Sequence, residues 1–376
     1  MSGILGGLWH VVPFLVGVTL LVFVHEMGHY LVARWAGVRI ETFSIGFGPE
    51  IFGWFDRHGT RWRMSAIPIG GYVMMYGDAD ATSRPGEPSA AMTEAERAVS
   101  HHYKPVAARA AITVAGPLAN FLFTIVVFAA LFMTIGQSVI PATVKAVKEG
   151  SVAEQVGIQP GDRFVSIDGH PIDSFQDLLE AVTFNTGDPM RMVLHRGDAD
   201  VTIVAIPQLI EDPDGPDNKI AHRRLGIEPP APVFVRHDPL TATWLATEQT
   251  WEQGGMMLRG IGQILTGTRS TRELGGMVSV GKALDDAAQG GIISFFLMMA
   301  VWSINLGLIN LFPIPVLDGG HLLFYAAEAV LGRPLGRRTQ EFGFKVGLAL
   351  VLTLMVFANG NDLVHRVIPF LKHLFT

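Results

Sequence analysis

The chain has 376 residues, of which 49% are hydrophobic and only 16% charged, with a formal net charge of −6 and a mean hydropathy of +0.34. So few charges point to a polytopic membrane protein with one more polar portion rather than to a soluble enzyme. The negative balance argues against a nucleic-acid partner, and the absence of cysteine excludes disulfides and cysteine zinc knuckles, leaving His, Asp and Glu as possible metal ligands.

The first apolar run extends from about Leu8 to Ala33. It follows no basic n-region and no A-x-A cleavage site, so it is expected to be retained as a span. Late in it stands Val24-His25-Glu26-Met27-Gly28-His29. On a helix, His25 and His29 lie one turn apart on one face, and two imidazoles at that spacing can bind one zinc ion. Glu26 beside them has the position of a general base in an H-E-x-x-H site. Ionisable groups inside a span are costly, which makes the cluster a functional hypothesis by default.

Further charge-poor runs follow at Ala110 to Ile135, Ile292 to Leu317 and about Phe342 to Ala358. About 20 apolar residues suffice for a span. No Lys or Arg precedes Arg34, whereas Arg34 to Arg109 is rich in both, and Arg333, Arg337 and Arg338 sit between the last two runs. The positive-inside rule makes these two loops cytoplasmic and places His25 and His29 toward the cytoplasmic side. Within the first loop, Arg61 to Tyr76 is apolar and β-prone and is broken by Pro68 and Gly70-Gly71, which suggests a hairpin. It serves either as an edge for a substrate strand or as packing on the spans. The polar stretch Asp78 to Ser100 is expected to be a loop. In the second run, Ala115-Gly116-Pro117-Leu118-Ala119-Asn120 lets helices approach closely, with Asn120 expected to bridge them.

From Gln137 to Gln208 the composition is that of a soluble domain. Strands are expected at Thr143 to Val147, Arg163 to Asp168, Met190 to Arg196 and Val201 to Ile206, with a helix over Asp173 to Phe184. Val156-Gly157-Ile158-Gln159-Pro160-Gly161-Asp162-Arg163-Phe164, followed by Ile167-Asp168-Gly169, resembles the core of a bacterial PDZ domain. Such domains commonly take a peptide terminus beside an exposed strand. Glu211 to Asn218 reads as a linker. Leu240, Trp244, Trp251, Leu258, Ile261 and Leu265 recur near helical spacing, as in an interfacial amphipathic helix or one packed on the soluble domain.

The third run contains Asn305 and Asn310 and then Pro313, Pro315, Asp318, Gly319 and Gly320. Broken backbone at membrane depth is tolerated only where it is buried in protein or lines a cavity. Asp318 at that break is the best third metal ligand, with Asp286 and Glu328 as weaker alternatives. His321 is expected in a supporting role, since two His and one carboxylate already leave the open position that catalysis needs.

The runs Val24 to His29, Phe43-Ser44-Ile45-Gly46-Phe47-Gly48, Ala115 to Asn120 and Asn310 to Gly319 together resemble the site-2 protease family of intramembrane zinc metalloproteases. The resemblance implies His25, His29 and Asp318 as zinc ligands and Glu26 as catalytic base. It implies that Asn310 and Asn305 position substrate, and that Gly46, Phe47 and Gly48 with the hairpin hold it extended. It further implies transmembrane protein substrates, such as anti-sigma factors or remnant signal peptides, within the lipid bilayer of a bacterial inner membrane. The best-known member carries two tandem PDZ domains, whereas this chain has room for one, on the extracytoplasmic side.

The expected fold is therefore a polytopic α-helical membrane protein with about four transmembrane helices, a membrane-associated β-hairpin and one α+β PDZ domain. Residues 1–136 hold spans one and two, 137–208 the PDZ domain, 209–290 a linker and amphipathic helix, and 291–376 spans three and four. Two other readings are a metal transporter and a catalytically inert scaffold. A transporter has no need of the glutamate between the histidines and commonly shows inverted repeats, which are not apparent here. An inert scaffold has no need of the chemical residues at all.

Overall fold

Long charge-poor runs satisfy their backbone in lipid as helices, and among the described residues four helices are long and apolar enough to cross a membrane. They are α1 (Val11–Trp35), α3 (Val106–Thr134), α8 (Ile292–Asn310) and α10 (Arg337–Asp362). The computed structural model describes residues 11–78, 92–183, 185, 187–211, 221–266 and 275–364. It divides into two compact units, Met1–Ala130 with Ala242–Thr376, and Leu131–Thr241.

In the first unit, the third span ends earlier than the run to Leu317 suggests. Helix α8 stops at Asn310 because Pro313 and Pro315 lack amide donors and disfavour helical backbone in the residues before them. The chain then turns through Val316 at φ 114, a rare conformation for a β-branched residue, and restarts as α9 (Asp318–Leu331). Gly319 permits that turn, since a Cβ there would lie 2.2 Å from the Phe312 carbonyl oxygen.

The β-element is larger than its sequence suggests. Strand β1 (Ile40–Phe55) pairs antiparallel with β2 (Arg61–Met75), and both are bent. As a result Phe43, Ser44 and Ile45 have partners on two sides, at Trp62 to Met64 and at Val73 to Gly71. The glycine and proline interruptions bend the strands rather than forming the turn between them. That turn is held by Asp56, whose carboxylate accepts from the His58 and Thr60 amides, the Tyr30 hydroxyl and the Trp62 indole. Burial raises the Asp56 pKa, but these donors outweigh it and bring the value down to about 2. The base packs Ile40, Phe43, Val73 and Met75 on Tyr30, Ala33 and Ile112. Near the tip, Ile51, Phe52, Trp54 and Phe55 are exposed. Residues 79–91 of the expected loop lie outside the described residues, and its end is not loop but helix α2 (Glu94–Val99), begun by a Thr93/Glu96 capping box.

Helix α6 (Pro239–Leu265) turns its small side chains inward: Ala242, Ala246 and Thr250 are buried, whereas Leu240, Trp244 and Trp251 are more than 70% exposed. An apolar face of that kind needs a bilayer or a partner to cover it. Helix α7 (Met277–Gln289), inside the stretch expected as linker and amphipathic helix, packs Leu284 against Leu21, Phe295 and Met299.

In the second unit, a sheet in the order β6-β5-β7-β8 is built from β5 (Arg163–Ile167), β6 (His170–Pro171), β7 (Met190–Arg196) and β8 (Ala199–Ala205). Helix α5 (Phe175–Thr183) buries Leu178 and Val182. A short helix, α4 (Val152–Gln155), is capped by the Ser151 side chain. Asp162 is 1% exposed and bound bidentately by Arg196; burial would raise its pKa, but this guanidinium and the Gln159 amide lower it.

The unit does not close at residue 208. Beyond it come β9 (Gln208–Glu211) and β10 (Ala221–Arg224), which pair with each other. Then β11 (Ile227–Glu228) pairs with β4 (Ala146–Val147), and β12 (Val233–Val235) with β3 (Gln137–Val139). Strands of two to four residues carry no readable periodicity, which is why the boundary expected at residue 208 falls short of them. Most of the expected linker, residues 212–218, lies outside the described residues.

Candidate metal centre

Helix α1 presents His25 and His29 on one face, 8% and 9% exposed, and the first turn of α9 brings Asp318 to them. His25 Nε2 lies 3.2 Å from His29 Nε2 and 3.2 Å from Asp318 Oδ2, and His29 Nε2 lies 3.5 Å from the same oxygen. Ligands of one tetrahedral zinc ion stand about 3.4 Å apart, given bonds of about 2.0–2.1 Å. Asp318 Oδ2 is buried without a hydrogen-bond partner among the described residues. A buried carboxylate oxygen facing two imidazole nitrogens at these separations fits a divalent metal better than it fits a hydrogen-bond network.

The opposite edges of both rings are also held. His29 Nδ1 is 2.8 Å from the Ile112 carbonyl oxygen, so it carries the proton and leaves Nε2 as the free lone pair. His25 Nδ1 is 3.0 Å from the Asn120 side-chain nitrogen, while Asn120 Oδ1 is buried without a partner among the described residues. The two ends of an amide are interchangeable by a half-turn. With Oδ1 turned to His25, the Nδ1–H donates to it and Nε2 is again free to bind metal. Asn120 is thus more than a bridge between helices: it orients a candidate ligand. An Asn120→Ala change is expected to weaken zinc binding by about 10–100-fold, measured by competition with a chromogenic chelator.

Close helix approach makes these contacts possible. A Cβ on Gly28 would lie 2.2 Å from the Ala115 carbonyl oxygen, and one on Gly116 would lie 2.3 Å from His29 Nε2. Gly28→Ala is expected to separate α1 from α3 at a cost of about 1–3 kcal/mol and to lower both zinc retention and thermal stability, read from metal content and melting temperature.

Around the triad is a cavity of about 210 Å³ whose lining includes Glu26, Tyr72, Val73, Asn310 and His321. Glu26, next to a ligand in sequence, lies within hydrogen-bonding reach of the Val73 backbone. Gly71 to Met75 of β2 run along one side of this cavity. Asn310 reaches it from the last turn of α8. Asn305 is not in the lining, and its amide donates to the Val301 carbonyl of its own helix. Gly46 and Gly48 have φ of 86° and 90°, and Phe47 stacks on Tyr72 with ring centroids 5.9 Å apart; none of the three is in the lining. The alternative carboxylates are elsewhere: Glu328 is bound bidentately by Arg109, and Asp286 is exposed on α7. His321 packs near Tyr325 and Phe344, with centroids 6.4 and 5.4 Å away.

Such a site can hold one metal ion, keep a coordination position open and offer a carboxylate beside it. The profile of Peptidase family M50 matches residues 13–354. A Mesorhizobium japonicum protein with the provisional name zinc metalloprotease mll0638 is 44% identical over 94% of this chain and 98% of its own. Metalloprotease MmpA of Caulobacter vibrioides is 37% identical over 99% of this chain and 100% of its own. Among solved structures, the PDZ domain of an SdrC-like protein from Listeria monocytogenes covers 23% of this chain and 84% of its own, at 23% identity and a TM-score of 0.20.

Proposed function

The chain belongs to peptidase family M50, the site-2 protease family of membrane-embedded zinc metalloproteases, and from that premise we propose that it cleaves transmembrane segments of single-span proteins within the bilayer. The observation that carries this reading is the meeting of His25, His29 and Asp318, beside Glu26, on helices apolar enough to span a membrane. The three residues are the proposed zinc ligands and Glu26 the proposed base.

A zinc ion held by His25, His29 and Asp318 would supply Lewis acidity and would make a water molecule acidic enough, at a pKa of about 7, to be activated near neutral pH. The Ile112 carbonyl and the Asn120 amide hold the two imidazoles in the tautomer that binding requires. Glu26 accepts the proton of the attacking water and passes it to the departing amine. When ionised, its oxygens accept hydrogen bonds, and the Val73 backbone within reach of it helps to keep it in place.

A helical substrate hides its carbonyls in intrahelical hydrogen bonds and must be partly unwound before attack. The Gly71–Met75 stretch of β2 runs beside the cavity and offers backbone partners to an extended segment. Asn310 is proposed to hold the substrate backbone at the other side. Gly46, Phe47 and Gly48 act through Tyr72, which Phe47 backs. A direct role for Asn305 is less favoured, because its amide is already satisfied within α8.

The second unit is proposed to be a PDZ domain. Its cleft of about 420 Å³ lies between Phe175, Leu178 and Val182 of α5 and the Arg224 to Ile227 segment, and suits a peptide terminus. From the distribution of Lys and Arg, the proposed location is a bacterial inner membrane, with this domain extracytoplasmic and the metal centre toward the cytoplasm. Anti-sigma factors already trimmed outside, or remnant signal peptides, are the proposed substrates.

The test is cleavage of a model single-span protein by the purified full chain in detergent. Stripping with 1,10-phenanthroline should abolish cleavage and zinc should restore it, with the cut mapped inside the span. Cleavage that survives complete metal removal, or a cut confined to the soluble flank, would overturn the reading.

A further inference from the structure

A second group of metal-ligating side chains lies where β2 meets the chain entering α3. Asp78 follows β2 in a turn, and His101 and His102 occupy a 3₁₀ turn (His101–Tyr103) just after α2. Asp78 Oδ1 is 2.9 Å from His102 Nε2 and 3.7 Å from His101 Nδ1, and the three atoms lie within 4.8 Å of one another. The Asp78 side chain is 0% exposed, that of His101 2% and that of His102 19%.

Backbone contacts fix the cluster. The His101 amide donates to the Tyr76 carbonyl, the Tyr76 amide to Arg39, and the Arg39 amide to Val99. The other Asp78 oxygen accepts from the Met75 amide, which aims Oδ1 at the two rings. Yet Asp78 Oδ1, both ring nitrogens of His101 and His102 Nε2 are buried without a hydrogen-bond partner among the described residues. Three of these atoms, Asp78 Oδ1, His101 Nδ1 and His102 Nε2, lie within 4.8 Å of one another, and buried polar atoms so grouped are costly unless something outside the protein satisfies them. An ordinary His–Asp ion pair would use one imidazole with good geometry and leave the second ring idle. One divalent ion satisfies Asp78 Oδ1, His101 Nδ1 and His102 Nε2 together, and their separations bracket the spacing of about 3.4 Å expected for tetrahedral ligands.

We propose that Asp78, His101 and His102 form a second binding site for a divalent transition-metal ion of the zinc class. It shares no ligand with the His25, His29 and Asp318 centre, although His101 also lines the cavity around that centre. An ion there would tie the end of β2 to the start of α3, which supplies the Ile112 carbonyl bound by His29. Two His and one carboxylate leave the fourth position to water or to a group from the cavity.

Zinc content of the full chain, loaded with zinc alone and dialysed in detergent, tests this. The wild type is expected to hold about two ions per chain, and His102→Ala about one. Asp78→Asn, which preserves side-chain volume, should also hold about one. A His25→Ala/His29→Ala double variant should retain about one, carried by the second site alone. No ion in the His25→Ala/His29→Ala double variant, or no loss of zinc from the wild-type count in both His102→Ala and Asp78→Asn, would overturn the proposal. The count in the double variant separates its failure from failure of the protease reading: zinc lost from the first centre while the second still fills leaves this proposal standing.

Discussion

Replacing Glu26 with Gln is expected to reduce intramembrane cleavage by about 10²–10⁴-fold, the usual contribution of a positioned general acid–base, while zinc content stays at the wild-type level. Gln keeps the shape and hydrogen-bonding reach of Glu but cannot hold the proton between attack and departure of the amine. The three mutually close ligand atoms are on His25, His29 and Asp318, so the substitution removes no ligand. Nor does it introduce an unpaired charge in a buried place, so the fold is not at risk. Metal analysis and cleavage of the single-span substrate on the same preparation provide the check. Undiminished cleavage would refute Glu26 as the base, and loss of zinc along with activity would place it among the ligands instead.

What could be read from the sequence follows the range of the interactions involved. The spans were legible because a charge-poor apolar run of that length has few other fates, and the histidine pair because a helix turns a four-residue spacing into adjacency. Asp318 was legible for a different reason: two prolines and two glycines interrupt an apolar run, and such a break needs a cavity. The contacts that orient the histidines were not legible. One partner is a backbone carbonyl, at Ile112, which leaves no signature in residue type. The other, Asn120, was visible as a polar residue in a span, but its partner 95 residues away was not. The cluster at Asp78, His101 and His102 escaped because two adjacent histidines and a distant aspartate have no metal-binding spacing until β2 and the 3₁₀ turn are docked. The first arm of the β-element was hidden by glycines that bend a strand as readily as they end one.

Asp318→Ala is expected to have an effect of another kind, lowering zinc affinity by more than about 10²-fold, with cleavage lost in parallel. Removing an outer contact to a metal ligand costs about 10–100-fold in affinity, so removing a ligand should cost more. The remaining pair, His25 and His29, is held on one helix at 3.2 Å between nitrogens, and two imidazoles alone neither complete a tetrahedral set nor neutralise the ion. The change also deletes the carboxylate oxygen that has no hydrogen-bond partner among the described residues, so the protein without metal is expected to be no less stable than the wild type. That asymmetry makes the experiment decisive: a purely structural aspartate would cost stability with or without metal, whereas a ligand costs it only when zinc is present. Melting temperatures of both proteins, with zinc and after chelation, should therefore diverge only in the zinc-loaded samples. Asp318→Asn, which keeps the shape but not the charge, should fall between wild type and Ala in zinc affinity. Equal zinc content in all three proteins would remove Asp318 from the centre and leave the break after α8 without a chemical purpose.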